Sequence, residues 1–538
     1  RNFRFLDILD TLKIEGFVNP IAGQVNSNNY LVLLSNATKT AAILKGIVNG
    51  NVTVQRFIPG SSGRRYRYLS APFSSGPSIN SSWQQQIHIT GAGVSGTICP
   101  NLTQHSNGFD ATLSNSPSFF TFNETTATSS NTLGSGGGTV YQNAWQSING
   151  TVLSNLSAGK GYKVFIRGNR EQGCNLLNGN NPTPQNIVLS SRGIVQSGSF
   201  SFNVTYSPSN GEGWNLVGNP YPCAIDWNSS AWSRTNIDNH IWIFRPAGNH
   251  FATFNGALNV GVNFGSNIIE SGSAFFVKAN AANPVLQVNE DAKVGLQSTP
   301  RLFKKSTKSL RMFLIKPGEV MDENLFSMFD AASDSLDIFD SEKMLNPSLN
   351  IFSLLNDSIS LSINTFPVVY SEKSINLDFQ SSFSGNHIIS FKQVEDFSDY
   401  DVLLVDNYLG VIQLVNDKSN YEFMNQANIP TKSRFNLIFV YRASVDYLKA
   451  KQKIENRFNS DLQIIPNPVF SCFKVEFSPK DKASAKLNIF NAQNQLVYTA
   501  DHYNSGNEIE SVNWNSGIYF VEISTSSGLL KRSKFVKF

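Results

Sequence analysis

Apolar and polar residues alternate along most of this chain, the period-two pattern of half-buried β-strands. Residues 30–34, 50–57, 163–166 and 200–206 carry it, and turn clusters such as Ser61-Ser62-Gly63 and residues 178–184 separate one run from the next. Residues 445–458 break the pattern. There Tyr447, Ala450, Ile454 and Phe458 recur at helical spacing, so the segment reads either as the best helix of the chain or as a charged linker. The expected fold is all-β, in tandem β-sandwich domains. Shifts in composition divide it. Residues 1–50 read as the terminal β-segment of a preceding β-repeat region, 51–296 as a β-sandwich-like domain and 312–441 as a second sandwich. Residues 442–461 read as a linker and 462–538 as a compact last module. Within the first segment, LVLLSN and AAILKG look like successive short strands of a stacked β structure, and the basic stretch 301–311 marks a boundary.

Composition supports this and narrows the function. Only 15% of the 538 residues are charged, against roughly 25% in an average soluble domain. The polar bulk is Asn, Ser and Thr, which compete with the helix backbone for hydrogen bonds. A hydrophobic content of 40% is enough to build cores and argues against disorder. A net charge of +4 excludes a nucleic-acid binder driven by gross charge. No run of about 18 apolar residues is present to span a membrane as a helix. Arg1 is not followed by a secretory signal, so a mature or trimmed chain, or the C-terminal part of a longer one, is expected. The cysteines Cys99, Cys174, Cys223 and Cys472 are far apart and form no CxxC pair. Cys99 and Cys174 pair only if the fold brings them together; buried free thiols are the simpler expectation.

The last module holds four motifs in order. Ile464-Ile465-Pro466-Asn467-Pro468-Val469 opens it, and Phe473-Lys474-Val475-Glu476-Phe477 is the second. Trp514-Asn515-Ser516-Gly517-Ile518-Tyr519-Phe520-Val521 comes next, and a basic end contains Lys531, Lys534 and Lys537. About seven short strands in so short a span suit a small immunoglobulin-like sandwich. The motifs resemble the type A C-terminal sorting domain of proteins exported by the type IX secretion system of Bacteroidetes. The resemblance implies that Pro466, Asn467, Pro468, Gly517, Ile518, Tyr519, Phe520 and Lys534 form the sorting signal. It also implies that residues 462–538 engage the outer-membrane translocon and its shuttle protein, and that the chain reaches the cell surface or the medium. One turn, Asn491-Ala492-Gln493-Asn494, departs from the D-x-x-G usual there; Asn tolerates the left-handed conformation that Gly would supply. Gly213-Trp214-Asn215-Leu216 and Gly272-Ser273-Ala274-Phe275-Phe276 resemble a β-rich region found upstream of such modules in large surface proteins. The same resemblance makes Asp10-Thr11-Leu12, Asp334-Ser335-Leu336 and Asp357-Ser358-Ile359 candidate O-glycosylation motifs, with sugar on Thr11, Ser335 or Ser358.

Catalytic chemistry is hard to find. No GxSxG, HExxH or P-loop motif occurs. His240 and His250, with Asp238 near, would need further ligands to hold a metal, and ordinary histidines are the expectation. Asp226 and Glu270 are the one carboxylate pair considered for glycoside chemistry, and structural roles are expected for both. The acids from Asp322 to Asp340 lack calcium-loop spacing and read as a solvated face. Flat indoles stack on sugar rings, and Trp227 and Trp232, in a turn-rich segment, are the candidates for exposed glycan contacts. No cofactor and no metal site is expected. The chain therefore reads as a non-enzymatic surface protein acting in adhesion or in a surface fibre or appendage, by self-association or by binding host or prey glycans. The alternative is the carbohydrate-binding accessory part of a secreted glycan-degrading or proteolytic enzyme whose catalytic domain precedes Arg1.

Overall fold

The computed structural model describes the chain outside residues 1–4, 21–22, 94–103, 128–141, 179–181, 211, 296–307, 409, 426–433, 460–461, 478–484 and 525–529. The regular structure of the described residues is almost entirely strand, with short 3₁₀ turns and one α-helix. The chain forms two compact units. One comprises residues 1–304 with 344–348, the other 305–343 with 349–538.

In the first unit the chain begins as a three-sided parallel coil. Phe5–Asp7, Gln24–Asn26 and Ile47–Asn49 stack in one parallel ladder. Leu12–Ile14, Leu31–Leu33 and Val52–Ile58 form a second, and Phe17–Val18 with Ala42–Ile43 a third. Parallel neighbours cannot be joined by a tight hairpin, so each turn of the coil takes about twenty residues to return to the same side. Val25, Leu31, Leu33, Val48 and Val52 point inward and are buried. Leu6 and Leu12, in register with Val25 and Leu31, and Phe17, in register with Ala42, are exposed, because among the described residues no strand pairs on the far side of the first turn.

The coil shares its last strand with an antiparallel sheet. Val52–Ile58 closes the parallel ladder and also pairs antiparallel with Ile187–Val195. A single core runs from Ile8 through Leu31, Val52, Phe73, Trp83 and Tyr162 to Val195. The expected boundary at residue 50 therefore falls inside one core. Conversely, residues 51–296 are not one sandwich. A second core gathers Phe202, Tyr221, Trp227, Ile241, Phe275 and Leu286. A third cluster packs Trp214, Trp242, Phe251 and Phe276 with Met344, which comes from the short segment 344–348. Asn346 of that segment accepts the Phe251 N–H at 2.7 Å.

In the second unit, strands between Lys308 and Tyr441 form one mixed sheet. Its two edge strands, Val411–Leu414 and Asn420–Asn425, are consecutive in sequence and joined by residues 415–419. A sheet whose opposite edges are five residues apart must roll back on itself, and it does so around Leu314, Phe326, Ile351, Phe379, Phe391 and Phe439. The helix expected from spacing is present as Tyr447–Asn459. Its Ile454, Tyr447 and Ala450 lie against Leu403, Val405, Ile438 and Val440 on the outer face of the sheet, so residues 442–461 hold a packed helix as well as connecting chain.

The last module is a seven-stranded sandwich. Leu462–Ile465, Cys472–Phe477 and Glu508–Glu510 face the sheet of Leu496–Tyr503, Ala485–Asn491, Gly517–Ser524 and Leu530–Lys537. Val475, Leu487, Ile489, Val521 and Phe535 fill the space between. The departing turn keeps its shape: Asn494 is left-handed at φ 61°, and Gln495 C=O accepts the Asn491 N–H at 3.0 Å.

Candidate functional site

Two places carry functional features. The first is the sorting module. Pro466, Asn467 and Pro468 form an exposed loop just after Leu462–Ile465. The Asn467 Oδ1 accepts the Val536 N–H at 3.2 Å, and Val469 donates to the Val536 carbonyl at 2.7 Å. The opening loop is thus laced to the last strand. Gly517, Ile518, Tyr519 and Phe520 begin the strand beside it, where Ile518 pairs with Val536 and Phe520 with Lys534. Alternation decides their roles: Tyr519 is buried and its hydroxyl donates to the Asn515 carbonyl at 2.7 Å, while Ile518 and Lys534 face outward. The module brings the expected signal residues together along its last strand, the opening loop from one sheet and residues 517–520 from the other.

The second place was not legible in the sequence. A cleft of about 540 Å³ in the first unit is walled by Val52–Ile58, Arg65–Leu69, His240–Arg245 and the turn after Val262. Arg56, Arg67 and Arg245 are among the residues that line it, and Glu270 is the one carboxylate-bearing residue there. Glu270 is already engaged, with its Oε2 2.6 Å from the Arg56 Nη2. The Arg56 charge holds its carboxyl below the usual range, against the opposing effect of burial, and Arg245 adds to the lowering. Arg67 is buried and donates only to backbone carbonyls of Gly63, Arg65 and Tyr66, each at 3.2 Å. Burial first, then repulsion from Arg65, brings its pKa down to about 10. Arg245 donates through Nη2 to the Phe264 carbonyl at 3.0 Å, and its buried Nε has no partner.

The rim holds an aromatic ring in an unusual way. Gly265 N–H donates to the Val262 carbonyl at 2.9 Å, with Asn263 at φ 53° and Phe264 at φ 64° between them. Two successive left-handed residues make a type I′ turn. Asn adopts that conformation at little cost, whereas a bulky ring is a rare occupant. Asn263 is pinned by its Nδ2 on the Phe251 carbonyl at 2.9 Å. Phe264 is 70% exposed at the mouth of the cleft. Deeper in, Tyr68 and Phe244 stack at 5.1 Å, and Gly248 lets the chain pass the buried His250 ring, where a Cβ would stand 2.3 Å from Cε1.

The other expected residues fall elsewhere. Trp227 and Trp232 are corrected from exposed to buried: Trp227 has no accessible surface and Trp232 only 8%. The turn-rich segment folds back over the second core, so the two indoles lie 4.7 Å apart with the Arg234 guanidinium 4.1 Å over Trp227. Neither offers a free face to a sugar. Asp226 is occupied as an acceptor for Asn267 Nδ2 at 2.7 Å and the Asn228 N–H at 2.8 Å. The hairpin of His240 and His250 exists, but His240 pairs with Asn255 and His250 with Arg245, at its two ends. Among the described residues no cluster of three metal-binding side chains occurs. Asp322, Glu323 and Asp340 are buried, which corrects the solvated face expected for them, while Asp330 and Asp334 of the same stretch are exposed. Cys174 is disulfide-bonded, which corrects the free-thiol expectation for it; Cys223 and Cys472 are free, and Cys99 lies outside the described residues. Thr11, Ser335 and Ser358 are exposed, Thr11 just before the strand Leu12–Ile14, Ser335 at a bend and Ser358 in a turn.

Residues 463–537 match the family model of the secretion system C-terminal sorting domain. With the seven-stranded module and its signal residues in place, the chain is a substrate of the type IX secretion system, a Bacteroidetes route, exported across the outer membrane to the cell surface or extracellular space. Residues 99–439, more than half of the chain, match the domain of unknown function DUF8693, and the chain belongs to that family. No curated protein matches it.

Proposed function

We propose that this protein is a non-enzymatic adhesion protein, delivered by its last module through the translocon and shuttle protein and displayed by its β-rich body. The observation that supports adhesion over fibre building is the open cleft with an exposed, strained aromatic at its rim. Strained backbone is retained where function uses it. Recognition rather than turnover fits the side chains lining the cleft. A glycosidase requires two carboxylates flanking the bond, and the Glu270 carboxylate is held by Arg56. Cells of the source organism lacking this chain are expected to lose attachment to glycan-coated surfaces while other exported proteins still reach the surface. Undiminished attachment would overturn the proposal. Shortening of acidic polysaccharides by the purified chain would replace it with an enzymatic reading.

A further inference from the structure

We infer that the cleft binds an acidic saccharide unit, its carboxylate or sulfate on the Arg67 and Arg245 guanidiniums and its ring face on Phe264. This deepens the adhesion reading and rests on it for biological meaning, though not for the binding itself.

Three observations carry it. The first is charge balance. Arg56, Arg67 and Arg245 line one cleft with Glu270; Arg56 is ion-paired with that carboxylate, and Arg245 only adds to the lowering of its pKa. Among the described residues Arg67 and Arg245 make no ion pair of their own, and Arg67 is 5% exposed. A buried cation left uncompensated is costly, and an incoming anion recovers that cost. The second is donor geometry. A guanidinium offers a planar fork of donors that matches carboxylate and oxyanion edges. The Arg245 Nε is still unpartnered. The third is the rim. Phe264 is both exposed and left-handed, held there by the Asn263 side chain and by the Arg245 bond to its own carbonyl. Arg245 therefore positions the ring and remains available to the anion, so charge and platform belong to one site. A ring face beside an anion pocket suits a cyclic acidic sugar better than an extended acidic peptide, which needs no flat stacking surface.

The test uses the whole chain in solution, with binding followed by calorimetry and by saturation-transfer NMR. Glucuronate, N-acetylneuraminate and N-acetylglucosamine 6-sulfate are compared with neutral N-acetylglucosamine, with acetate and with a short polyglutamate peptide. The acidic sugars are expected to bind at least about tenfold more tightly than the neutral one, the difference a charge-assisted bond supplies. The carboxylated and sulfated arms then say which anion is preferred. Arg245→Gln is expected to remove that preference. Phe264→Ala is expected to weaken every sugar while leaving the weak acetate interaction unchanged, a split that general unfolding would not produce. Equal binding of neutral and acidic sugars, tightest binding to polyglutamate, or unchanged binding in both variants would each overturn the inference. If acidic sugars bind but deletion cells still attach, adhesion fails and this site stands; if cells lose attachment but no acidic sugar binds, the reverse holds.

Discussion

Buried charge is handled in opposite ways in the rolled sheet of the second unit and in the cleft of the first. In the rolled sheet each buried cation has its own carboxylate. Lys343 lies 2.5 Å from Asp322, and both are almost wholly inaccessible. Arg434 meets Asp406 through Nη2 at 2.9 Å and Nε at 3.1 Å, with the Tyr421 hydroxyl also donating to Asp406 at 2.8 Å. Phe423 and Phe435 flank the guanidinium. In the cleft of the first unit, three arginines line the wall with one carboxylate, and that carboxylate is ion-paired with Arg56. A matched pair fixes a structure and has no capacity left over. A mismatched group keeps its capacity for something that is not part of the chain.

The comparison can be broken by substitution. The largest effect is expected at the matched pair: Asp406→Ala leaves Arg434 buried alone and should cost about 3–5 kcal/mol, read as a fall in denaturant midpoint. A loss under about 1 kcal/mol would mean that the pair is not structural. Next comes Asp340, buried in the same unit with its carboxyl pushed up to about 7, chiefly by burial, while backbone N–H groups of Thr365 and Asp337 oppose the rise. A carboxyl raised in the folded state favours folding while it stays protonated. That contribution is complete below about pH 4, is lost as the pH rises, and is gone above about 7. Melts of the whole chain should lose about 2–4 kcal/mol across that window, and Asp340→Asn should flatten the slope. An identical slope in the variant would refute the assignment.

Smaller effects sharpen the other side. Phe264→Gly should stabilise the chain by about 1 kcal/mol, because glycine accepts φ 64° without a steric penalty; a loss of stability would show the ring to be packing rather than platform. Arg245→Gln should change stability by less than about 1 kcal/mol, in contrast to Asp406→Ala, since no ion pair is broken. A change as large as that of Asp406→Ala would erase the distinction between the two regions.

Strand periodicity gave the all-β class, although the run at 200–206 is strand only at Phe200–Ser201; the spacing of Tyr447, Ala450 and Ile454 left helix and linker open, and the structure makes it a helix that packs by that face. The sorting module was equally legible, because each of its motifs is a contiguous run of sequence. Periodicity could not separate parallel from antiparallel partners. The coil at residues 5–58 and the strand Val52–Ile58 shared with Ile187–Val195 were therefore out of reach, and so was the loss of a boundary at residue 50. Trp227 and Trp232 misled for a related reason. A turn-rich segment signals a change of direction, not exposure, and here the turn folds under the core.

The sequence by itself determined the strand class and the export signal, because each is written in residues close together along the chain. Only the tertiary structure decided which charges are matched. Arg56, Arg67, Arg245, Phe264 and Glu270 come from separate strands and turns, and none belongs to a local motif. Whether a guanidinium meets a carboxylate depends on strands brought together from far apart in the chain. That information is carried by pairing and burial, and no window of sequence contains it.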